Sequence, residues 1–152
     1  MISPEISSTF FTLAAAPFFL TFTAISYIMQ SQRYDNAVAG EYHMTRLFVY
    51  TELFRKSWKM MNLDEDDAKE LEEILLADPR QGDVLEGTGG ARKMRIQLTG
   101  RGKSGGGRII YVDVLEKERL YLLFAYPKSV QDDLTPDQKK AVRKIVEAIK
   151  KE

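Results

Sequence analysis

Cysteine is absent from this chain of 152 residues, and histidine occurs once, at His43. Without cysteine there is no disulfide and no thiolate-held metal. A single histidine excludes a histidine acid–base pair and a histidine-rich metal site. Catalysis, if present, falls to Lys, Arg, Tyr, Ser, Thr or carboxylates, and no metal or other cofactor is expected. Net charge is missing too, because 22 Lys+Arg offset 22 Asp+Glu. That balance exerts no overall pull toward nucleic acid, so such a role has to rest on local pattern.

The balance hides two unlike pieces. Residues 1–43 contain one basic residue, Arg33, and three acidic ones, Glu5, Asp35 and Glu41; the remainder holds 21 basic and 19 acidic residues. Thr9 to Met29 is an uncharged run of 21 residues, long enough to span a bilayer. It lacks the positive leader of a secretory signal, since Glu5 stands where a Lys or Arg belongs. If it spans, Arg33 beyond it favours a cytoplasmic C-terminal part. Pro17 and four threonines make it an indifferent helix. A second reading takes Met44 as the natural start. Codons for Ala39-Gly40-Glu41 can hold AGGAGA or AGGAG, a ribosome-binding sequence a few bases upstream of the Met44 codon. Residues 1–43 are then a hydrophobic extension from a mis-assigned start, and the protein is cytoplasmic, with a membrane as partner only if residues 9–29 are a genuine span.

Residues 44–152 suit one compact domain with its own core. Arg46 to Tyr50 (RLFVY) reads as a short strand. Thr51 is placed to cap a helix carrying Phe54, Trp58 and Met61 on one face. Asp64 is placed to cap a second, with Ala68, Leu71, Ile74 and Leu75 at helical spacing, ended by Asp78-Pro79. The period then changes to two. Lys93 to Leu98 alternates, putting Met94, Ile96 and Leu98 on one face and Lys93, Arg95 and Gln97 on the other. Thr99 to Gly107 is a glycine-rich turn, and Arg108 to Val114 and Leu120 to Tyr126 are further strands of an antiparallel meander. Thr135, Pro136 and Gln138 form the start of a last helix, with Ala141, Val142, Ile145, Val146 and Ile149 as its buried stripe. The order is strand, two helices, three strands, helix: an α+β fold in which a small antiparallel sheet is packed by two N-terminal helices and one C-terminal helix.

Chemistry is expected in Gly87 to Val112, which has no acidic residue but holds Arg92, Lys93, Arg95, Arg101, Lys103 and Arg108. Alternation sets Lys93 and Arg95 on one strand face, Arg108 opens the neighbouring strand, and Lys128 follows the third. Cations gathered without counter-charges suit a phosphodiester backbone. A solvated strand face is the plainer reading, but solubility favours mixed signs. Two nucleotide motifs fail on context. Gly100 to Gly105 matches G-x-G-x-x-G, and Gly102-Lys103-Ser104 matches the end of a P-loop, yet both lie between strands and open no helix. Gly87-Thr88-Gly89-Gly90 reads as a turn aligning Arg92 and Lys93. Tyr111 and Tyr126 are available to stack on a base, or to pack in the core.

The segments GDVLEGTGGARKMRI, GRGKSGGGRIIYVDV and YLLFAYPKSVQDDLTPDQ, in that order, resemble the HigB branch of the RelE/ParE toxin superfamily. The resemblance covers 44–152 and none of 1–43. It implies a RelE-like fold and a toxin of a type II toxin–antitoxin system: a ribosome-dependent mRNA endoribonuclease neutralised by a HigA-like helix-turn-helix antitoxin. By that likeness Lys93, Arg95, Arg108 and Lys128 are the catalytic cations; Arg92, Arg101, Lys103 and Tyr126, from their place in or beside the basic stretch, are expected to contact RNA or ribosome. The C-terminal tyrosine of RelE has no equivalent here, where the chain reads Asp132-Asp133-Leu134. The other function open to the fold is a non-enzymatic, ParE-like toxin or protein-binding module.

Overall fold

The structure is a computed structural model that describes the backbone of residues 32–34 and all of residues 46–97 and 106–152. The uncharged run Thr9 to Met29, His43, Met44, Arg101 and Lys103 lie outside the described residues. No helix among the described residues is long and apolar enough to cross a membrane.

The elements are β1 (Gln32–Tyr34), β2 (Arg46–Tyr50), α1 (Glu52–Met60), α2 (Glu65–Ala77), β3 (Asp83–Val84), β4 (Arg92–Ile96), β5 (Gly107–Val114), a 3-10 turn (Leu115–Lys117), β6 (Arg119–Pro127) and α3 (Pro136–Lys151). They form one sheet ordered β1-β2-β6-β5-β4-β3. The α+β class, the paired N-terminal helices and the C-terminal helix agree with the sequence reading. The expected antiparallel sheet is mixed at one side, where β2 runs parallel to β6, pairing Leu47 with Arg119 and Tyr50 with Leu122. The remaining pairings are antiparallel. A parallel neighbour follows from the long connection, because β2 leads into helices rather than into a hairpin.

Local chemistry sets the helix starts. The Thr51 hydroxyl accepts from the Phe54 N–H at 3.0 Å and donates to the Leu123 carbonyl at 2.6 Å. One side chain therefore caps α1 and fastens it to β6. Ser57 completes the attachment, since its hydroxyl accepts from the Ala125 N–H at 3.0 Å and donates to the Phe54 carbonyl. Asp64 and Asp67 close a capping box on α2, and Thr135 and Gln138 close another on α3, which begins with a proline.

The sheet is covered on both faces. Phe54, Trp58, Leu71 and Leu75 from the first two helices pack with Met94, Ile96, Ile109, Leu120 and Leu122. Val142, Ile145, Val146 and Ile149 of α3 pack with Ile110, Val112, Leu123 and Phe124 on the other side. Burying each such aliphatic side chain stabilises by roughly 1.5–3 kcal/mol. Between the faces Arg46 of β2 reaches Asp113 of β5 at 2.9 Å, both side chains at least nine-tenths buried.

Candidate anion site

The α3 face of the sheet carries the cations, and strand register brings them together. The Arg95 Cα lies opposite that of Arg108, Lys93 opposite Ile110, and Arg108 opposite Tyr126. Cross-strand partners in an antiparallel pair project to the same side. The turn before β4 sets this strand's height. Gly87, Gly89 and Gly90 all adopt positive φ, and buried Thr88 bonds the Leu85 carbonyl and the Ala91 N–H, closing the loop that starts Arg92.

Opposite the cations stands a feature absent from the sequence reading. The loop after β6 brings Asp132 and Asp133 over the sheet. The Arg108 Nη2 donates to the Asp132 carboxylate at 2.9 Å. The Lys93 Nζ donates to the Asp133 carboxylate at 3.2 Å and to the Asp132 carbonyl at 3.3 Å. Lys139 of α3 approaches the other Asp133 oxygen at 3.4 Å. The expectation of a cation group without counter-charges is therefore corrected: no acid interrupts the segment in sequence, but two arrive in space from a segment 24 to 40 residues away. A guanidinium as enclosed as that of Arg108, 4% exposed, requires such a partner.

Both carboxylates respond to this setting. The Arg108 hydrogen bond, and then its charge, hold the Asp132 carboxyl below the ordinary carboxylate range, with Lys93 and Lys128 adding to the effect. For Asp133, burial pushes the carboxyl up, but the Leu134 N–H, Lys93 and Lys139 outweigh it and the net direction is down.

The other expected site residues divide. Arg95 is exposed and makes no ion pair with a described residue. Lys128 is exposed too; its N–H bonds the Gly106 carbonyl at 3.1 Å, holding the start of the loop against the β5 terminus. Arg92 is half-buried and donates to the Arg80 and Gly82 carbonyls at 3.1 and 2.7 Å, so its guanidinium braces the chain between α2 and β3. The RNA-stacking role expected of Tyr126 does not fit its position. It is fully buried, stacked on Phe124 with ring centroids 6.0 Å apart, and burial pushes its phenol far above the ordinary range. Strand β6 is apolar on both faces, so its sequence does not reveal which tyrosine an overlying helix encloses. Tyr111 is likewise core; its hydroxyl accepts from the Gly82 N–H at 3.0 Å.

A groove of about 240 Å³ lies across the sheet, between α1 and α2, lined by Tyr50, Phe54, Trp58 and Glu72 among others. It is remote from the cation group, which sits on the α3 side.

A family model described as the RelE toxin of the RelE/RelB toxin–antitoxin system matches residues 78–152. The matched segment begins where α2 ends and takes in β3 through α3. It therefore contains Lys93, Arg95, Arg108 and Lys128, as well as the two aspartates that face them.

Proposed function

We propose that the protein is the toxin of a type II toxin–antitoxin system, of the HigB kind, and that it cleaves mRNA on the ribosome. The observation that carries this reading is the meeting of Lys93 and Arg108 beside the same loop, with Arg95 opposite Arg108 in register and the Lys128 charge acting on the same Asp132, all within the segment the family model matches. A helix-turn-helix antitoxin resembling HigA is the expected neutralising partner, and the cytoplasm the expected location.

The chemistry this group suits is transesterification. The 2′-hydroxyl of the RNA attacks the adjacent phosphorus and the bond to the 5′-oxygen breaks. The products are a 2′,3′-cyclic phosphate and a 5′-hydroxyl. The proton leaving the 2′-hydroxyl balances the one gained by the departing oxygen. Arg95, Arg108 and Lys128 stabilise the charge that builds on the phosphorane oxygens. Lys93 donates to two oxygens here and adds its charge to the same group, and it is also the side chain placed to take the 2′-hydroxyl proton. The cations supply the charge, so no metal is invoked. The ribosome's share is to hold the substrate in line, which converts a slow free nuclease into an effective one.

The test is inducible expression of the full chain, with and without the adjacent antitoxin gene. Growth arrest with mRNA cut within codons, relieved by the antitoxin, is the expected result. Arrest with mRNA left intact would instead favour a non-enzymatic, ParE-like toxin.

A further inference from the structure

The cation site is closed by the protein's own carboxylates. The Asp132 oxygen 2.9 Å from Arg108 and the Asp133 oxygen 3.2 Å from Lys93 occupy positions that phosphate oxygens would take. The two acids differ in attachment. Asp133 also accepts the Leu134 N–H at 2.8 Å and approaches Lys139, so it belongs to the loop's own frame. The Asp132 side chain is 79% exposed, and among the described residues its carboxylate bonds Arg108. The loop is pinned on either side of these residues. The Val130 N–H bonds the Pro127 carbonyl and its side chain packs on the core, while Leu134 is 5% exposed. Gln131 exchanges two amide hydrogen bonds with Gln138 of α3, so between the fixed Gln131 and Asp133 it is the exposed Asp132 side chain that is left to shift without unfolding a strand or helix.

We infer that Asp132 acts as an internal competitor, a latch whose carboxylate holds Arg108 until a phosphodiester of RNA displaces it. The inference rests on the anion-site reading above and adds its regulation. A latch of this kind lowers affinity for stray phosphate and RNA. It admits a ligand that brings several phosphates at once, because a single phosphate only exchanges one anion for another. An RNA strand also engages Arg95 and Lys128, which Asp132 leaves unpaired with described residues.

The test measures binding of a fluorescently labelled RNA oligonucleotide to the full-length protein by anisotropy, at fixed salt. Asp132→Asn is expected to tighten binding on the order of 5-fold, the scale of one partly exposed ion pair. Asp137→Asn removes the same charge from the first turn of α3, where the partner is Lys140, and is expected to leave affinity unchanged. Arg108→Gln weakens binding, and in the Asp132→Asn background it abolishes the gain. No tightening in Asp132→Asn, or equal tightening in Asp137→Asn, overturns the latch, while weakening by Arg108→Gln keeps the anion site standing. An Arg108→Gln protein that is folded by circular dichroism and binds RNA as before removes the anion site and the latch with it.

Discussion

Two arginines in this molecule are almost equally enclosed and are matched with aspartates at the same 2.9 Å, yet the pairs are different devices. Arg46 meets an Asp113 side chain that is 9% exposed and fixed in a central strand, with a second bond at 3.4 Å. Arg108 meets an Asp132 side chain that is 79% exposed and carried by a loop. In the first pair neither partner can leave without stranding a buried charge. In the second the aspartate can turn to water while an incoming anion takes its place. Burial of the weaker-held partner, rather than distance, separates a fastening from a gate.

Breaking the fastening has the largest expected effect. Asp113→Asn removes the buried carboxylate that faces Arg46 and should cost about 3–5 kcal/mol, read by denaturant unfolding. Arg108→Gln should lower mRNA cleavage about 100- to 1,000-fold, the scale of losing one preorganised charge donor, with unfolding stability far less affected than in Asp113→Asn. If the Arg108→Gln protein cleaves at the full rate, Arg108 is no part of the chemistry.

Salt sharpens the contrast. At 1 M the Debye length is about 3 Å, so an exposed carboxylate is screened and a buried one is not. Hydrogen exchange at residues 131–133 should therefore quicken with added salt, while the amides of β2 and β5 stay protected. The smallest effect is in acid. The folded-state carboxyls of Asp132 and Asp133 lie below their ordinary range, so the stability they contribute is fully present above that range. It is lost only as the pH falls through their lowered folded values. Carboxyl NMR should show Asp132 titrating below an unfolded-chain aspartate, and moving up toward it in Arg108→Gln.

What was legible in the sequence follows the range of the forces involved. Thr51, Asp64 and Thr135 announce helix starts because a cap acts within three residues. The alternation of Lys93 to Gln97 assigns faces because a strand's period is local. The strand order is another matter: the Thr51 hydroxyl meets the Leu123 carbonyl across 72 residues, and nothing near Thr51 names that partner. The cations were legible as a group, but their neutralisation was not, since Asp132 and Asp133 read only as the lack of a tyrosine. Arg92 looked like its neighbours, yet its partners are backbone carbonyls, which carry no side-chain signature. The two-residue β3 and the three-residue β1 are too short for periodicity to register.

The parallel pairing of β2 with β6 has a consequence in time. Leu47 to Tyr50 find their partners only at Arg119 to Leu122, on the far side of both N-terminal helices and three further strands. Contacts so distant in sequence form late and slow the folding of the whole. During synthesis the early strand waits while most of the domain is made, and Lys128 and Asp132 emerge later still. Lys93, Arg95 and Arg108 are made before Asp132, but β6, which pairs with the strand of Arg108, and the loop of Asp132 come from one continuous later segment, so the alignment of the cations and their counter-charge arrive together.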